Sequence, residues 1–304
     1  MIPQFPQFKS IEQSDRAGVD AHTSQYDPYT DFNFNCLWSW DELSKRMISE
    51  LNGNLVVKFT DYATYEPFLS FLGANDQEGT TRALIEYCKS ESLPTTLRLM
   101  PEVSVDGLDP SMFAIEESRG DFDYIFSTQE HADLPGGKFQ KKRSEANRFW
   151  RENPSGRFDL IDMGDPEVQK QIIETIEVWE QNKIAQNKDY EIAHELTATR
   201  RLLNTDRPDV LCGAGLYIEK KMIGYAIGEE LPNKYALVHF MKSTNAQKGG
   251  SEALMQAYAK YLLSRQCEYM NFESDLGFEY VRRHKMSLRP VKFLKRYDVH
   301  YSQK

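Results

Sequence analysis

The clearest structural signal in the chain lies at residues 210–241, which read VLCGAGLYIEKKMIGYAIGEELPNKYALVHFM. Apolar residues dominate three segments of this stretch, 210–218, 222–229 and 235–241, and each segment predicts a strand. The polar link Glu219-Lys220-Lys221 between the first two segments is as short as a β-hairpin requires. We therefore predict three consecutive strands arranged as a meander.

Helices are predicted before this meander. Asp165-Pro166 is typical of a helix start, because an N-cap residue is followed by proline at the first helical position. The helix that it opens has an apolar stripe made of Val168, Ile172, Ile176 and Trp179. A second helix is predicted at 191–203.

After the meander, a glycine-containing loop leads into a helix that begins near residue 250. A strand at 268–272, a short helix at 278–285 and a last strand at 291–297 follow. This is an α+β order of elements. It begins with helices and a meander, continues with a glycine loop and its helix, and ends with a strand, a helix and a strand. This is also the order of elements in a GNAT-type acyltransferase domain.

The amino-terminal half has a less regular mixture of predicted elements and is interpreted as a diverged second copy. Strands are predicted at 54–60, 95–100 and 123–126, and helices at 80–88 and 138–152. A loop signal, Asn153-Pro154-Ser155-Gly156, separates the halves, and 304 residues suit two domains. We predict two tandem GNAT-like domains, 1–154 and 155–304, with mixed sheets flanked by helices.

Composition excludes several classes of protein. Apolar residues make up 40% of the chain, which is enough for a sizeable core and excludes a wholly disordered chain. No apolar run approaches the ~18 residues that span a bilayer, and the first residues lack the pattern of a signal peptide. Four scattered cysteines favour a reducing compartment. The expected location is therefore the cytoplasm.

Charge is distributed unevenly along the chain. The net charge is −9, yet residues 138–151 contain six basic residues and one acidic residue, and 282–304 contain eight and one. An acidic protein with two basic patches suggests a localised anionic partner, such as a phosphate-bearing substrate. The structural alternative is two solvated faces that neighbouring carboxylates neutralise.

The loop Gln247-Lys248-Gly249-Gly250-Ser251 is a candidate phosphate site. Glycines allow close backbone approach, and a helix start offers unpaired amides, so an acyltransferase seats the pyrophosphate of coenzyme A at such a loop. Gln247 and Gly250 fit the usual signature, but Glu252 places a negative charge at its last position. A plain turn between strand and helix is the alternative.

Two carboxylates follow the predicted strand at 268–272. Glu273 and Asp275 are two residues apart and share a face if the strand continues, where they are candidates to deprotonate an attacking amine. Alternatively, Asp275 caps the next helix and Glu273 pairs with a basic neighbour. Arg282 and Lys285 lie on one face of that helix and, with Lys292 and Lys295, suit an anion.

Several segments together resemble the family of the carboxy-terminal domain of phosphatidylglycerol lysyltransferase. They are residues 35–40, 123–126, 137–143, 147–149, 223–229, 238–242 and 271–277, followed by Arg282, Lys285 and Pro290. The resemblance spans most of the chain and rests on the order and spacing of these segments. Met241 stands where many relatives carry glutamate, and Ser251 where an aromatic residue is common.

The resemblance implies tandem GNAT-like domains with a cleft between them and transfer of an aminoacyl group from aminoacyl-tRNA to a lipid or small-molecule acceptor. It implies a donor-phosphate role for Lys141, Lys142, Arg143, Arg282 and Lys285. Glu273 and Asp275 would line the amino-acid or acceptor site.

The remaining candidate binding residues are His239 and Lys242, which lie in one of the resembling segments, and Gln247 and Gly250 of the glycine loop. A structural role is the alternative for His239. No cofactor is expected, and no spacing of histidines and cysteines matches a metal site. Two other hypotheses remain: an acyl-coenzyme A-dependent N-acyltransferase, and a non-catalytic binding protein on the same fold.

Overall fold

A computed structural model describes residues 1–41, 43–61, 64–186, 193–244 and 247–302. The first residues of the helix predicted at 191–203, part of the glycine-containing loop, and Lys304 of the second basic patch lie outside the described residues. The strands are β1 (Lys9–Ser10), β2 (Met47–Leu51), β3 (Asn54–Thr60), β4 (Pro67–Leu72), β5 (Leu97–Pro101), β6 (Phe113–Glu117), β7 (Asp123–Ser127), β8 (Gly156–Ile161), β9 (Leu211–Ile218), β10 (Lys221–Leu231), β11 (Tyr235–Ser243), β12 (Tyr269–Asn271), β13 (Lys292–Leu294) and β14 (Arg296–Tyr301). The helices are α1 (Arg16–Thr23), α2 (Phe34–Ser39), α3 (Gln77–Ser90), α4 (Glu102–Val105), α5 (Thr128–Asp133), α6 (Gln140–Glu152), α7 (Pro166–Gln186), α8 (Ala193–Leu203), α9 (Gly250–Ser264) and α10 (Glu279–Ser287).

The chain forms two compact units, and the first is discontinuous in sequence. The first unit contains Met1–Tyr124 and Glu273–Lys304, and the second contains Ile125–Phe272. These units do not coincide with the predicted domains 1–154 and 155–304, because the last part of the chain packs with the first. The division into two GNAT-like domains after residue 154 stays a prediction.

The first unit contains two antiparallel sheets. β1–β2–β3–β4 form one sheet, and β5–β14–β6 form the other, so the last strand of the chain lies between two strands of its first half. A core that includes Phe71, Leu84, Ile85 and Met100 is fully buried between α3 and these strands. Burial of each such side chain contributes about 1.5–3 kcal/mol to the free energy of folding, so this core stabilises the unit.

A buried ion cluster fixes β14 in the first unit. The Arg296 side chain is 0% exposed, its Nη2 donates to Asp123 Oδ2 at 2.9 Å, and its Nε donates to Asp31 Oδ2 at 2.8 Å. Its guanidinium also lies 4.5 Å from the centre of the Tyr29 ring. Three distant segments of sequence therefore meet at one cation.

The second unit contains five neighbouring strands of a mixed sheet in the order β12–β11–β10–β9–β8, and Ile125–Ser127 of β7 pair with β12. β11 and β12 are parallel, and the other neighbours are antiparallel. Every residue of β10 from Met222 to Glu229 is buried, so both faces of the sheet are covered there. Ile172 and Ile176 of α7 and Leu254 and Leu262 of α9 are among the buried residues of the helices on this sheet.

The elements predicted from strong periodicity are confirmed. The meander is present as β9, β10 and β11, and a two-residue turn at Glu219-Lys220 joins β9 to β10, as Lys221 pairs with Ile218. The predicted α+β class with mixed sheets is also confirmed. Helices α1 and α2, in contrast, lie where no element was predicted.

Replacing Arg296 by Met is expected to destabilise the first unit strongly. The change leaves two carboxylates without their buried cation. Loss of one partner of a buried ion pair lowers the free energy of unfolding by about 3–5 kcal/mol. Urea unfolding measures the loss. Arg82→Met is the control, because Arg82 pairs with Glu78 on an exposed helix face and its loss is expected to cost about 0.5 kcal/mol or less. Equal effects of the two substitutions would contradict the structural role of Arg296.

Candidate functional site

The segment Glu273–Phe278 joins β12 to α10 in a strained conformation. Glu273 and Leu276 have φ of +59° and +51°, in the left-handed region, and Gly277 follows at +78°. A non-glycine residue in this region costs of order 1–3 kcal/mol and occurs most often at functional sites. A Cβ on Gly120 would lie 2.9 Å from the Gly277 nitrogen, so this segment packs tightly on the turn that carries Arg119.

The expectation that Glu273 and Asp275 share the face of one strand is wrong. β12 ends at Asn271, and the left-handed backbone at Glu273 breaks the alternation of side chains that an extended strand would give. The two carboxylates therefore lie in different environments. Asp275 is fully buried, whereas Glu273 is half-buried.

Asp275 is the centre of a hydrogen-bonded cluster in the first unit. Arg282 binds it in a bidentate manner, with Nε to Oδ2 at 2.9 Å and Nη2 to Oδ1 at 3.1 Å. Tyr124 Oη donates to Oδ2 at 2.5 Å, and the Gly277 N–H donates to Oδ1 at 2.9 Å. These donors occupy both oxygens, which is the pattern of a carboxylate that positions its neighbours.

Burial on its own would raise the pKa of Asp275. The hydrogen bonds from Arg282, Tyr124 and the Gly277 N–H outweigh burial, so the pKa lies below its ordinary value. The pKa of Arg282 is raised by its hydrogen bond to Asp275. Burial and the bond to Asp275 raise the pKa of Tyr124, which therefore stays a donor. The pair is charged at neutral pH.

Two further cations surround the cluster. Lys285 Nζ donates to the main-chain oxygens of Glu273 at 3.2 Å and Ser274 at 2.6 Å. Arg119 donates to Tyr124 Oη at 3.0 Å and lies 3.5 Å from Asp275 Oδ2. Arg282 and Lys285 lie on one face of α10, as their spacing predicts.

The other two cations predicted for this anion site pair elsewhere in the first unit. Lys292 Nζ lies 3.9 Å from Asp27 Oδ2, and Lys295 Nζ lies 2.6 Å from Glu117 Oε1. The cation set at Asp275 therefore consists of Arg119, Arg282 and Lys285, and Arg119 is a residue that the sequence analysis missed.

Glu273 is the less buried of the two carboxylates. Its main-chain oxygen accepts from the Tyr124 N–H at 3.1 Å, which fixes the backbone, and its Oε1 lies 3.8 Å from the thiol of Cys36. Cys36 belongs to α2, whose N-cap Asn33 accepts from the Cys36 N–H at 3.1 Å. A half-buried carboxylate beside a thiol is able to take a proton from a nearby nucleophile.

His239 lies on β11 in the second unit and is buried. Its Nε2 lies 3.0 Å from Oε1 of Glu229, a buried residue of the neighbouring strand β10. A carboxylate that binds one ring nitrogen orients the imidazole. The contact is compatible with the structural alternative for His239, and Glu229 is a partner that was not predicted from the sequence.

Lys242 lies near the end of β11 and is held by two side chains of the second unit. Its Nζ lies 2.5 Å from Glu195 Oε2 and 4.2 Å from the centre of the Trp179 ring. An ion pair combined with a cation–π contact holds this lysine in place. A donor-phosphate role would require exchange of these partners.

The glycine loop serves a packing role in the second unit. Gly249 has φ of +80°, and a Cβ on it would lie 2.1 Å from the main-chain oxygen of Glu145 in α6. Gly250 is buried at the start of α9, and its N–H donates to the Gln247 oxygen at 3.3 Å. The close approach of α6 explains the glycine at 249 without a bound pyrophosphate.

The predicted cations of α6 have three different surroundings. Arg143 Nη1 donates to the main-chain oxygens of Leu134 and Gly136, so it closes the turn after α5. Burial lowers the pKa of Lys142, and the charge of nearby Glu252 opposes that effect. Lys141 is exposed. Of the three, Lys141 is the most accessible to an external anion.

The fold is shared with known structures. A conserved protein of unknown function from Bacteroides thetaiotaomicron is 26% identical, with a TM-score of 0.84 over 99% of this chain and 100% of that one. The structure of L-PGS from Bacillus licheniformis has a TM-score of 0.64 and 12% sequence identity, over 100% of this chain and 95% of that one. The C-terminal domain of a putative lysylphosphatidylglycerol synthetase from Agrobacterium fabrum has a TM-score of 0.63 and 13% sequence identity. The match covers 96% of this chain and 93% of that one. No curated protein matches the chain.

The protein therefore has the α+β fold seen in lysylphosphatidylglycerol synthetases. The family model for the C-terminal region of phosphatidylglycerol lysyltransferase matches residues 23–300, and this chain belongs to that family. Among the described residues, none of the helices combines the length and apolar character needed to cross a bilayer.

Arg282→Gln is expected to lower the free energy of unfolding by about 1.5–3 kcal/mol at neutral pH, because a charged Asp275 loses its bidentate partner. In the wild type, the lowered pKa of Asp275 gives stability that is present above the unfolded value of about 4 and is lost as the pH falls through the folded pKa. The difference between wild type and variant is therefore expected to shrink below about pH 4.

Urea titrations at a series of pH values measure this difference. Arg283→Gln is the matched control, since Arg283 is the next residue on α10, is exposed and contacts Glu279 only at 3.8 Å. The control is expected to change stability by about 0.5 kcal/mol or less. A pH-independent loss in Arg282→Gln would contradict the assigned charge state of Asp275.

Proposed function

We propose that this protein transfers an aminoacyl group from an aminoacyl-tRNA to an amine or hydroxyl acceptor carried by a lipid or a small molecule. Membership in the phosphatidylglycerol lysyltransferase family supports a transferase role. The observation that carries the proposal is the cluster of Arg119, Arg282 and Lys285 around Asp275, with Glu273 as its neighbour in sequence. This cluster combines anion-binding groups with a carboxylate that is able to accept a proton.

The donor ester is already activated, so catalysis is largely positioning. The acceptor's nitrogen or oxygen forms a bond to the ester carbonyl carbon, and the bond from that carbon to the ribose oxygen breaks. A base takes the acceptor's proton, and the ribose hydroxyl receives a proton as it leaves. We assign the base to Glu273, because its side chain is half-buried and its backbone is fixed by Tyr124.

Asp275 has a different role in the proposal. Its oxygens already accept from Arg282, Tyr124 and the Gly277 N–H, and its pKa is lowered, so it is a weak proton acceptor. Its charge holds the guanidinium of Arg282 in one orientation. We therefore assign Asp275 as a positioning residue.

The cations supply attraction for the donor's terminal phosphates. Arg119 keeps about a third of its side chain exposed and Arg282 slightly less, so their outer N–H groups are within reach of an anion. Lys285 is bound to main-chain oxygens and adds a fixed positive charge. In the second unit, the exposed Lys141 is our candidate for a further contact with the tRNA.

The acceptor class is supported by the family alone. Its description names phosphatidylglycerol, a lipid with free hydroxyl groups, and we propose a hydroxyl-bearing lipid as the first acceptor to test. A coenzyme A donor lacks a comparable observation, because packing against α6 accounts for Gly249.

Glu273→Gln is expected to reduce the rate of transfer by about 10²–10⁴-fold, because the amide cannot take the acceptor's proton. The assay follows radiolabelled amino acid from charged tRNA into phosphatidylglycerol vesicles or into small amines and hydroxyl compounds. Glu279→Gln is the control, since Glu279 is an exposed glutamate on α10 and its loss is expected to leave the rate unchanged.

Binding of charged tRNA is measured for the same variants. Unchanged binding with lost transfer is the expected result for Glu273→Gln. Unchanged transfer would remove Glu273 from the mechanism. If the wild-type protein binds charged tRNA but transfers to none of these acceptors, the binding-protein hypothesis replaces the transferase.

A further inference from the structure

Exposed apolar side chains are concentrated in one segment of the first unit. Of the eleven large hydrophobic residues that are exposed in the described part of the chain, five lie between residues 276 and 291. They are Leu276, Phe278, Tyr280, Met286 and Val291, and we call them the apolar patch. Single exposed residues of this kind are common, and this segment is set apart because five of them lie on or beside one surface helix.

The helix in this segment is a surface element. α10 has no buried residue, and its inner face is formed by Arg282 and Lys285, which bind the segment 273–275. Its outer face carries Tyr280 and Arg283, both exposed. An apolar patch with cations beside it on a surface helix is typical of an element that lies in a membrane interface.

Two members of the apolar patch are exposed just before α10 begins. Leu276 is 59% exposed and has φ of +51°, so the chain adopts an unfavourable conformation at a residue whose side chain then gains no burial. Phe278 is 52% exposed, and its ring centre lies 5.8 Å from that of Tyr280. Both side chains therefore leave apolar surface in contact with water, and transfer of that surface to an apolar phase is favourable.

The charge of the segment selects the kind of surface. Residues 276–292 contain five basic residues and one acidic residue, whereas the whole chain has a net charge of −9. Asp275 and Asp27 pair with Arg282 and Lys292 from outside this range, so Arg283 and Arg289 are the cations considered for docking. Arg283 and Arg289 are exposed. An anionic surface attracts this segment and repels the acidic remainder of the protein, so contact through this segment is favoured.

We propose that the apolar patch and the basic residues Arg283 and Arg289 dock this protein onto anionic phospholipid bilayers. The aliphatic members Leu276, Met286 and Val291 favour a lipid phase over a nucleic acid, because a nucleic acid offers base faces for aromatic side chains and phosphates for cations but little surface for aliphatic ones. The docking does not depend on the proposed transfer reaction, since it requires neither donor nor acceptor chemistry.

Sedimentation with vesicles tests the proposal. The full chain is mixed with phosphatidylcholine vesicles, alone or containing phosphatidylglycerol or phosphatidylserine. Binding is expected with both anionic lipids and is expected to be weak with phosphatidylcholine alone. Two anionic headgroups are used because docking depends on charge, whereas recognition of a substrate depends on one headgroup.

Two double variants separate the apolar and electrostatic contributions. Phe278→Ser with Tyr280→Ser is expected to weaken binding about tenfold or more, since two rings no longer enter the lipid. Arg283→Gln with Arg289→Gln is expected to weaken binding to anionic vesicles by about fivefold for each charge removed. All four side chains are exposed, so the variants are expected to fold, and circular dichroism checks this.

The controls are an exposed leucine and an exposed arginine elsewhere. Leu160→Ser on β8 and Arg151→Gln on α6 are expected to bind vesicles as the wild type does. The proposal is overturned if the wild type does not bind anionic vesicles, if binding requires phosphatidylglycerol specifically, or if the controls lose as much affinity as the patch variants. Loss of tRNA binding without loss of vesicle binding in the patch variants would also overturn it and would identify a nucleic-acid surface.

Discussion

The ion pair between Asp275 and Arg282 is the interaction on which the arrangement of the site depends. Asp275 is fully buried, and an isolated charge there would be costly, so the bidentate guanidinium and the Tyr124 hydroxyl are required partners. The same contacts orient α10 and place Lys285 over the main chain at Glu273. One carboxylate therefore organises the cations, the strained turn and the candidate base.

The strained turn explains why two neighbouring acids have different properties. β12 ends at Asn271 and the backbone at Glu273 is left-handed, so Glu273 and Asp275 do not lie on one extended strand. Asp275 then points into a set of donors, and Glu273 remains half-buried near Cys36. The two proposed roles, a positioning carboxylate and a candidate base, follow from these different surroundings.

The sequence predicted the elements whose signal is local. The meander β9–β11, helix α7 and helix α9 have strong apolar patterns, and each was found. α1 and α2 were missed because they lack an apolar stripe: the buried residues of α1 are Arg16 and Val19, and α2 buries Asn35 and Ser39 among apolar neighbours. The placement of β14 was not predictable, because it depends on Arg296 meeting Asp31 and Asp123 from distant parts of the chain.

The candidate site was predicted only in part, because some of its contacts are local in sequence and others join distant segments. The spacing of Arg282 and Lys285 on one helical face is a local property, so their common orientation followed from sequence. The contribution of Arg119 and Tyr124 is a long-range contact that spacing does not encode. Lys142 and Arg143 illustrate the converse, because a basic run gives no indication that burial and main-chain carbonyls engage its members.

A titration of the purified protein with charged tRNA, uncharged tRNA and acetyl-coenzyme A at two salt concentrations tests the central claim most directly. Charged tRNA is expected to bind more tightly than uncharged tRNA, because the aminoacyl group adds contacts beside Glu273. The affinity is expected to fall as salt rises, because the cations at Asp275 contact phosphates. Equal binding of the two tRNAs, or binding of acetyl-coenzyme A alone, would contradict it.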